Sequence, residues 1–588
     1  MQEKLNILRG QNRYILKRFL QYLKPFTRVI TVMYVFALLN VAATLAIPIL
    51  IQKGIDKNIA NDDLHGLLIT TGVLAAVLVV QFISFRYQGV LLMRTANEVF
   101  YRLRRDLFEH MQKLSFRFFD THKAGSLMTR VTSDVQVLEE LLMTGLDTIL
   151  VDFLMIGGII GAMLFLDARL SLILLFIIPL LSLVVFGLRK RIVNAARDIQ
   201  KQLSSVNAYL NESLSGIMVS RAFAREKLNI RQFSDFNEAY FQRTRSFYPL
   251  HAYFWQSVST LNTFSMGLVI LVGGILLYQQ SVTIGVIAAF LTLITQLFHP
   301  MQKISNMLNQ LSRAMASGER IFSILDERPD VQDQDNAIKN NQLKGKIEFN
   351  HVKFEYKSDE PVLKGIHFIV QPGQTLAIVG HTGSGKSTIV NLLSRFYDVT
   401  GGKVCVDDRD VREYAQHEYR IQTAVVMQDP FLFSGSVYDN IRFSMPEATQ
   451  EQIEGVCKEL GIHEMVQEFP RAYHTEIGER GGNISIGQKQ LLAFARAMLR
   501  DPRILILDEA SSYLDTRTEA LVQQALQRLM KDRTTIVIAH RLSTIQYADT
   551  ILVLEQGNIL ESGTHEELVR HNGAYAQLLK SQFQQVAD

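Results

Sequence analysis

Six apolar stretches fill the first half of this chain, each near the ~20 residues that a helix needs to cross a hydrocarbon layer. They lie at roughly 29–52, 67–85, 142–166, 169–188, 251–278 and 283–305. Backbone placed in lipid must satisfy its own hydrogen bonds, so such segments are driven to be helical. From about residue 345 onward, short β-branched runs alternate with helical segments, the pattern of a soluble α/β unit. Hydrophobic residues make up 48% of the 588 and charged ones only 20%, which excludes a disordered chain. A net charge of +4 is too small to suggest a nucleic-acid partner. Cys405 and Cys457 have neither the number for a disulfide framework nor zinc-like spacing, and are expected to be buried thiols in a reducing compartment. The N-terminus shows no cleavable signal pattern.

Basic residues predict the orientation. The short connections near 53–66, 167–168 and 279–282 carry only Lys53 and Lys57, with Arg169 at a helix border. The opposite side gathers Arg9 to Arg28 before the first span, Arg86 to Arg117 after the second and Arg189 to Lys201 after the fourth. The positive-inside bias places both termini in the cytoplasm. Two connections on that side, 86–141 and 189–250, are long and rich in helix formers, so the spans should continue as helices for ~40 Å beyond the membrane. Short transverse helices are expected at breaks in them, Ala124-Gly125-Ser126 and Ser215-Gly216.

Residues 13–26 place Ile15, Leu16, Phe19, Leu20 and Leu23 on one stripe, with Lys17, Arg18 and Lys24 pointing away. This reads as a basic amphipathic helix at the membrane interface, or as a plain surface helix. The expected division is 1–28 interfacial elbow, 29–320 transmembrane domain with its helical extensions, 321–344 linker and 345–588 soluble domain.

The soluble half carries phosphate chemistry. Gly380-His381-Thr382-Gly383-Ser384-Gly385-Lys386-Ser387 is a full GxxxxGKS between the apolar run 375–379 and a helical segment. Strand, glycine-rich turn and helix N-terminus together cradle phosphates with backbone N–H groups. Lys386 should reach the β- and γ-phosphates and Ser387 should bind Mg2+. The run Ile504–Leu507 delivers Asp508 and Glu509. Asp508 suits the magnesium shell, and Glu509 is placed to polarise an attacking water. A third strand, 534–539, delivers His540 beside the nucleotide crevice. The expected fold class is thus an all-α six-helix transmembrane domain followed by an α/β P-loop nucleotide-binding domain.

Ser485-Ile486-Gly487-Gln488 and the helical run after it make a resemblance specific. The chain resembles an ATP-binding cassette (ABC) exporter half-transporter, six spans fused to one nucleotide-binding domain, over nearly its whole length and with the motifs in family order. The resemblance implies that ATP and Mg2+ are the cofactors, with ATP held by Tyr356 stacked on adenine and by the phosphate loop from Gly380 through Thr388. It assigns Gln428 to the Q-loop, at the metal and the reaction, Asp515 to the D-loop and His540 to the switch histidine. It further implies two cassettes facing head to tail, each ATP lying between one phosphate loop and the other cassette's signature, here Ser485, Ile486, Gly487 and Gln488. The transverse segments, near 124–132 and 212–219, would dock beside the Q-loop and carry the motion to the membrane.

One departure points to a partner. The family signature reads LSGGQ, but this chain has Ile484-Ser485-Ile486-Gly487-Gln488. A β-branched side chain replaces the glycine at the closest approach to phosphate. An intact Lys386, Ser387, Asp508, Glu509 and His540 beside a degenerate signature resembles one subunit of the heterodimeric bacterial multidrug exporters, although a homodimer tolerating Ile486 is the alternative. Tyr513, in the D-loop, is a second departure without an assigned consequence.

The cargo leaves fewer marks. Asp152 lies near the middle of the third span and, facing a cavity, would suit a cationic amphiphile; otherwise it bonds to a neighbouring helix. Asn40, Asn262 and Gln296 read as interhelical hydrogen bonds before cavity residues. Lys303 and Arg86 fall at span ends, with no lysine or arginine deeper. The expectation is ATP-driven export of hydrophobic or cationic small molecules across a bacterial cytoplasmic membrane, the lipid bilayer and a second half-transporter being its partners. A lipid or lipid-conjugate flippase and an ATP-gated regulatory subunit are the alternatives. The fused plan disfavours an importer, and no peptidase-like segment precedes the spans.

Overall fold

The computed structural model describes residues 2–147, 151–339, 342–508, 515–539 and 541–583. They form two compact units: residues 1–112 with 124–327, and residues 113–123 with 328–588.

The first unit is built, among its described residues, from helices and their turns. In chain order these are α1 (Gln2–Leu23), α2 (Thr27–Lys53) and α3 (Leu64–Lys113), then, after the short α4 (Phe116–Thr121), α5 (Ala124–Thr129), α6 (Val135–Asp147) and α7 (Phe153–Leu166). They continue with α8 (Ala168–Leu175), α9 (Ile177–Ser215), α10 (Ile217–Ala222), α11 (Glu226–Tyr278) and α12 (Ile284–Asp326). Helix covers the described part of all six apolar stretches. The rods run on past them, α11 with 53 residues and α3 with 50. At 1.5 Å per residue both are about 75–80 Å long, well over twice the ~30 Å hydrocarbon thickness. Phe82 and Leu68 of α3 stand 65–66% exposed, as an outer face turned to lipid would. The packed side is apolar too: Phe290, Leu293 and Ile294 of α12 are fully buried against Ile159, Leu170 and Val269.

Ends are tied by short polar bonds. Asp167, in extended backbone, accepts from the amide of Leu170 at 2.8 Å and starts α8. Asp56, from the turn after α2, accepts from the amide of Gly285 at 2.8 Å at the start of α12. In α1, Ile15, Phe19 and Leu23 are buried, whereas Leu16 and Leu20 remain exposed. The expected apolar stripe is therefore split: half packs on the helices and half is left outward. Arg18, expected to point away, instead pairs with Asp326 at the end of α12, which also accepts from the Tyr14 hydroxyl at 2.6 Å.

The break expected at Ala124-Gly125-Ser126 opens the short α5, and a further break at Ser115 sets off α4 before it. Ser115 is extended, and α4 ends where Thr121 Oγ1 and His122 Nδ1 both bond the Phe118 carbonyl, side chains competing with the helix for its own acceptor. The second break falls at Gly216 as expected, and α10 follows with Met218 81% exposed at its tip.

In the second unit a six-stranded sheet has the order β12-β11-β3-β10-β9-β6, where β3 is Thr375–Val379, β6 Thr423–Val426, β9 Ile504–Asp508, β10 Thr534–Ile538, β11 Thr550–Glu555 and β12 Asn558–Gly563. β11, β3, β10, β9 and β6 are parallel neighbours. β3 and β10 are buried along their whole length, as strands covered on both faces must be. A second, antiparallel sheet joins β1 (Ile347–Glu355), β2 (Pro361–Val370), β4 (Gly401–Val406) and β5 (Arg409–Asp410); β7 (Gly435–Ser436) and β8 (Glu476–Ile477) pair separately.

Helix α4 belongs to this second unit. Phe116 stacks on Phe396 with ring centroids 4.3 Å apart, the Tyr397 hydroxyl donates to Asp120, and Arg117 lies 3.4 Å from Asp330.

Within the first unit, Asp134 at the end of a π-helical turn accepts from both Arg320 and Ser317 of α12. Burial alone would raise its carboxyl pKa, but these bonds and the Arg320 charge outweigh burial and hold it below the usual range. Its contribution is therefore present above the unfolded carboxylate value and lost as pH falls through the depressed one. Asp134→Ala should cost about 1 kcal/mol at pH 7, because it removes the bonds from Ser317 and Arg320 while the half-exposed guanidinium is still solvated. Thermal unfolding of the purified protein should show this gap closing as the pH is taken below 4.

Candidate functional site

The parallel sheet brings the sequence-distant motifs to one edge. β3 runs into the phosphate loop, β9 ends on Asp508, β10 ends at Ile538 and β6 is followed by Met427 and Gln428. All four are adjacent and parallel, so these residues meet at the carboxyl ends of the strands, where α/β sheets bind ligands. Glu509, Ser512, Tyr513 and His540 lie outside the described residues, although the strands that lead to Glu509 and His540 end at this edge.

The loop's glycines are required by its shape. Gly380 has φ +151°, and a Cβ there would lie 2.2 Å from the Leu554 carbonyl oxygen. Gly385 has φ +106° and starts helix α13 (Lys386–Leu393) in a left-handed conformation that other residues resist. Its Cβ would sit 2.8 Å from Leu363. Lys386 is buried, and its ammonium donates to the carbonyls of Gly380 at 2.7 Å and His381 at 3.0 Å. Burial pushes its pKa down and the Asp508 charge pulls it partly back. Ser384 keeps a buried hydroxyl with no protein partner, His381, Thr382 and Gly383 are open, and Ser387 is exposed on the first turn of α13. A cradle of glycine backbone, an idle buried hydroxyl, an ammonium and a helix N-terminus fits a nucleotide's phosphates. Ser387, Asp508 and the exposed Gln428 offer the hard oxygen donors that Mg2+ prefers.

Tyr356 is held upright beside the loop. Phe354 and Tyr397 meet it edge-on at 4.8 Å and 5.2 Å, leaving a ring face for a base. Its hydroxyl accepts from Asn391 at 3.0 Å and lies 3.3 Å from the buried Thr388 hydroxyl. Asn391 is a residue that sequence reasoning missed; it lies one helical turn beyond Ser387 on α13 but belongs to no motif. Tyr397 was missed for the same reason, and it links this ring to Asp120 of α4. Within the second unit, Asp120 of α4 thus reaches the tyrosine that packs on Tyr356.

The signature opens a 14-residue helix, Ile486–Leu499. Ser485 Oγ accepts from the Gln488 amide at 3.3 Å while the Gln488 side chain accepts from the Ser485 amide at 2.9 Å, a capping box. The hydroxyl proton of Ser485 stays available to an anion in front of the helix. Gly487 is buried; Ile486 is 50% exposed, with its side chain outside the domain core. Asp515 caps the helix Thr516–Met530 by accepting from Thr518 at 3.0 Å, a bond that keeps its carboxyl below the usual range.

In the first unit, Asp152 lines an open cavity with Asn40, Gln88, Gln296, His299 and Lys303. Asn40 does two things at once, facing the cavity and bonding Gln88 across helices at 3.5 Å; Asn262 is not among the lining residues. Lys303, expected at a span end, has its Nζ 3.4 Å from Asp152 Oδ1. A lysine's long stem carries its charge several ångströms from its own helix turn.

A long-helix membrane unit fused to a phosphate-loop unit that also carries a signature helix defines one half of an ABC exporter. The chain belongs to the ABC transporter family: it matches the ABC transporter transmembrane region over residues 30–301 and the ABC transporter ATP-binding region over 363–512. It is 37% identical to the ABC transporter ATP-binding protein YknV of Bacillus subtilis over 96% of this chain and 94% of that one. It is 36% identical to YgaD of the same organism, named for multidrug export, over 97% and 99%. A bacterial Atm1-family ABC exporter solved with ATP bound superposes with a TM-score of 0.79 at 26% identity, covering 95% of this chain and 98% of that one. The protein is an ATP-hydrolysing membrane transporter, and exporters of this family work as dimers.

Tyr356→Ala should weaken ATP binding by about 1–3 kcal/mol, the worth of one stacked base, whereas Tyr356→Phe should keep most of the affinity. Titration with a fluorescent ATP analogue separates the two.

Proposed function

We propose that this chain is one half of a heterodimeric exporter of hydrophobic or cationic amphiphilic molecules, in a bacterial cytoplasmic membrane with both termini in the cytoplasm. The observation that carries the cargo class is the cavity: an acidic group, Asp152, in a wall that includes Val41, Phe85, Val151, Met155 and neutral polar residues, with Lys303 and His299 also lining it. Relatives named for multidrug export support the same reading.

Lys386 and the glycine loop hold the phosphates, Tyr356 the base, and Ser387 with Asp508 and Gln428 a magnesium ion that neutralises phosphate charge. Glu509 takes a proton from the attacking water, and His540 and Asp515 complete the site from the neighbouring strand end and loop. The signature opposite Glu509 comes from the second chain. Ile486 stands where that chain's ATP would approach this chain's signature helix, and a β-branched side chain at the first helical position keeps phosphate away from the amides behind it. The exposed groove beside Gln428, lined by Met427, Phe431, Phe443 and Arg496, is open to a transverse helix of the second chain. Lysine and arginine crowding on one side of the spans supports the orientation.

ATP hydrolysis by the chain alone in lipid, with Glu509→Gln as blank, tests the dimer. Activity near the blank from a protein that binds ATP is expected, and Ile486→Gly should raise it severalfold. Robust activity of the unaltered chain would identify a working homodimer.

A further inference from the structure

We infer that Lys303 is a built-in stand-in for cationic cargo, and that Asp152 works as an exchange site at which an amphiphilic cation replaces the lysine ammonium. This rests on the cargo reading above and specifies its step of recognition.

The two members of the pair are unlike. The Asp152 side chain is 6% exposed, fixed in the wall at the start of α7; the Lys303 side chain is 52% exposed. The carboxylate cannot leave, whereas the ammonium rides on a flexible four-carbon stem with open space behind it. At 3.4 Å the contact is a loose one for a charge-assisted bond. A buried carboxylate stripped of its cation costs several kcal/mol, so Lys303 has little tendency to leave unless another cation arrives. A neutral molecule entering the same cavity offers no such replacement. The remaining polar groups of the wall, Asn40, Gln88, Gln296 and His299, leave Asp152 as the one acidic group among the lining residues. Phe85, Val41 and Met155 supply surface for the apolar body of the ligand. The ligand class is therefore a monocation with a hydrophobic body. Exchange releases one polar tie between α12 and the start of α7, three residues past Pro300, while their apolar packing stays.

The test is equilibrium binding of ethidium, a permanent cation, and Nile red, a neutral dye, to the full-length protein in nanodiscs by fluorescence anisotropy. Lys303→Met should tighten ethidium binding about tenfold and Asp152→Asn should weaken it at least tenfold, with Nile red unchanged in both. The double variant, which buries no lone charge, controls for folding and should bind ethidium as weakly as Asp152→Asn. Unchanged or weaker ethidium binding in Lys303→Met, while the unaltered protein binds both dyes, overturns the exchange and leaves the cargo reading standing. Failure of the unaltered protein and of Lys303→Met to bind either dye, with ATP binding intact, overturns both.

Discussion

The hydrogen-bonding demand of backbone in hydrocarbon governs this protein. Each peptide unit in the six apolar stretches must find its partner within its own helix, so the chain enters the membrane as helix and leaves it as helix. The rods then have no reason to stop at the lipid surface, because α3, α9, α11 and α12 meet no strong breaker there. Pro249 and Pro300 sit inside α11 and α12 without ending them. A stiff rod carries displacement along its length, and the Asp134–Arg320–Ser317 cluster ties one of them, α12, to the turn before α6.

The nucleotide-binding unit solves the opposite problem, gathering chemistry from distant parts of the chain into one place. Parallel pairing does this, because every strand points the same way and every loop after a strand emerges on the same side. The phosphate loop, Asp508 and the Q-loop are far apart in sequence and neighbours at one edge. The signature helix stands apart from that edge grouping in its role: its capping box turns a helix end into a rigid set of donors whose own fold does not use them.

Much of this could be read from residues alone. Six spans, helical extensions, the α/β pattern and the phosphate loop all follow from periodicity and spacing that local physics enforces, and GxxxxGKS needs its glycines for reasons visible in Gly380 and Gly385. Contacts between side chains far apart in sequence were not readable. Asn391 and Tyr397 belong to no motif, and only folding brings them to Tyr356. Lys303 looked like a span-end residue because its position along α12 says nothing about where a long flexible side chain puts its charge. The break at Ala124-Gly125-Ser126 does open a short helix, α5, but the extra helix α4 before it was not readable, because its end depends on the side chains of Thr121 and His122 taking the Phe118 carbonyl.

The position of α4 also sets a schedule for synthesis. The Asp120–Tyr397 bond joins residues 277 apart, with most of the membrane unit between them. At the usual pace of about 5–20 residues per second, Phe116 and Asp120 leave the ribosome on the order of 15–55 s before the surface that covers them exists. For that interval the aromatic segment between two growing spans is unpartnered, and a cassette produced from residue 328 onward by itself never receives it. Phe396 and Tyr397 would then face water in the isolated piece, so solubility and nucleotide affinity measured on a truncated cassette describe a domain with one of its own walls missing.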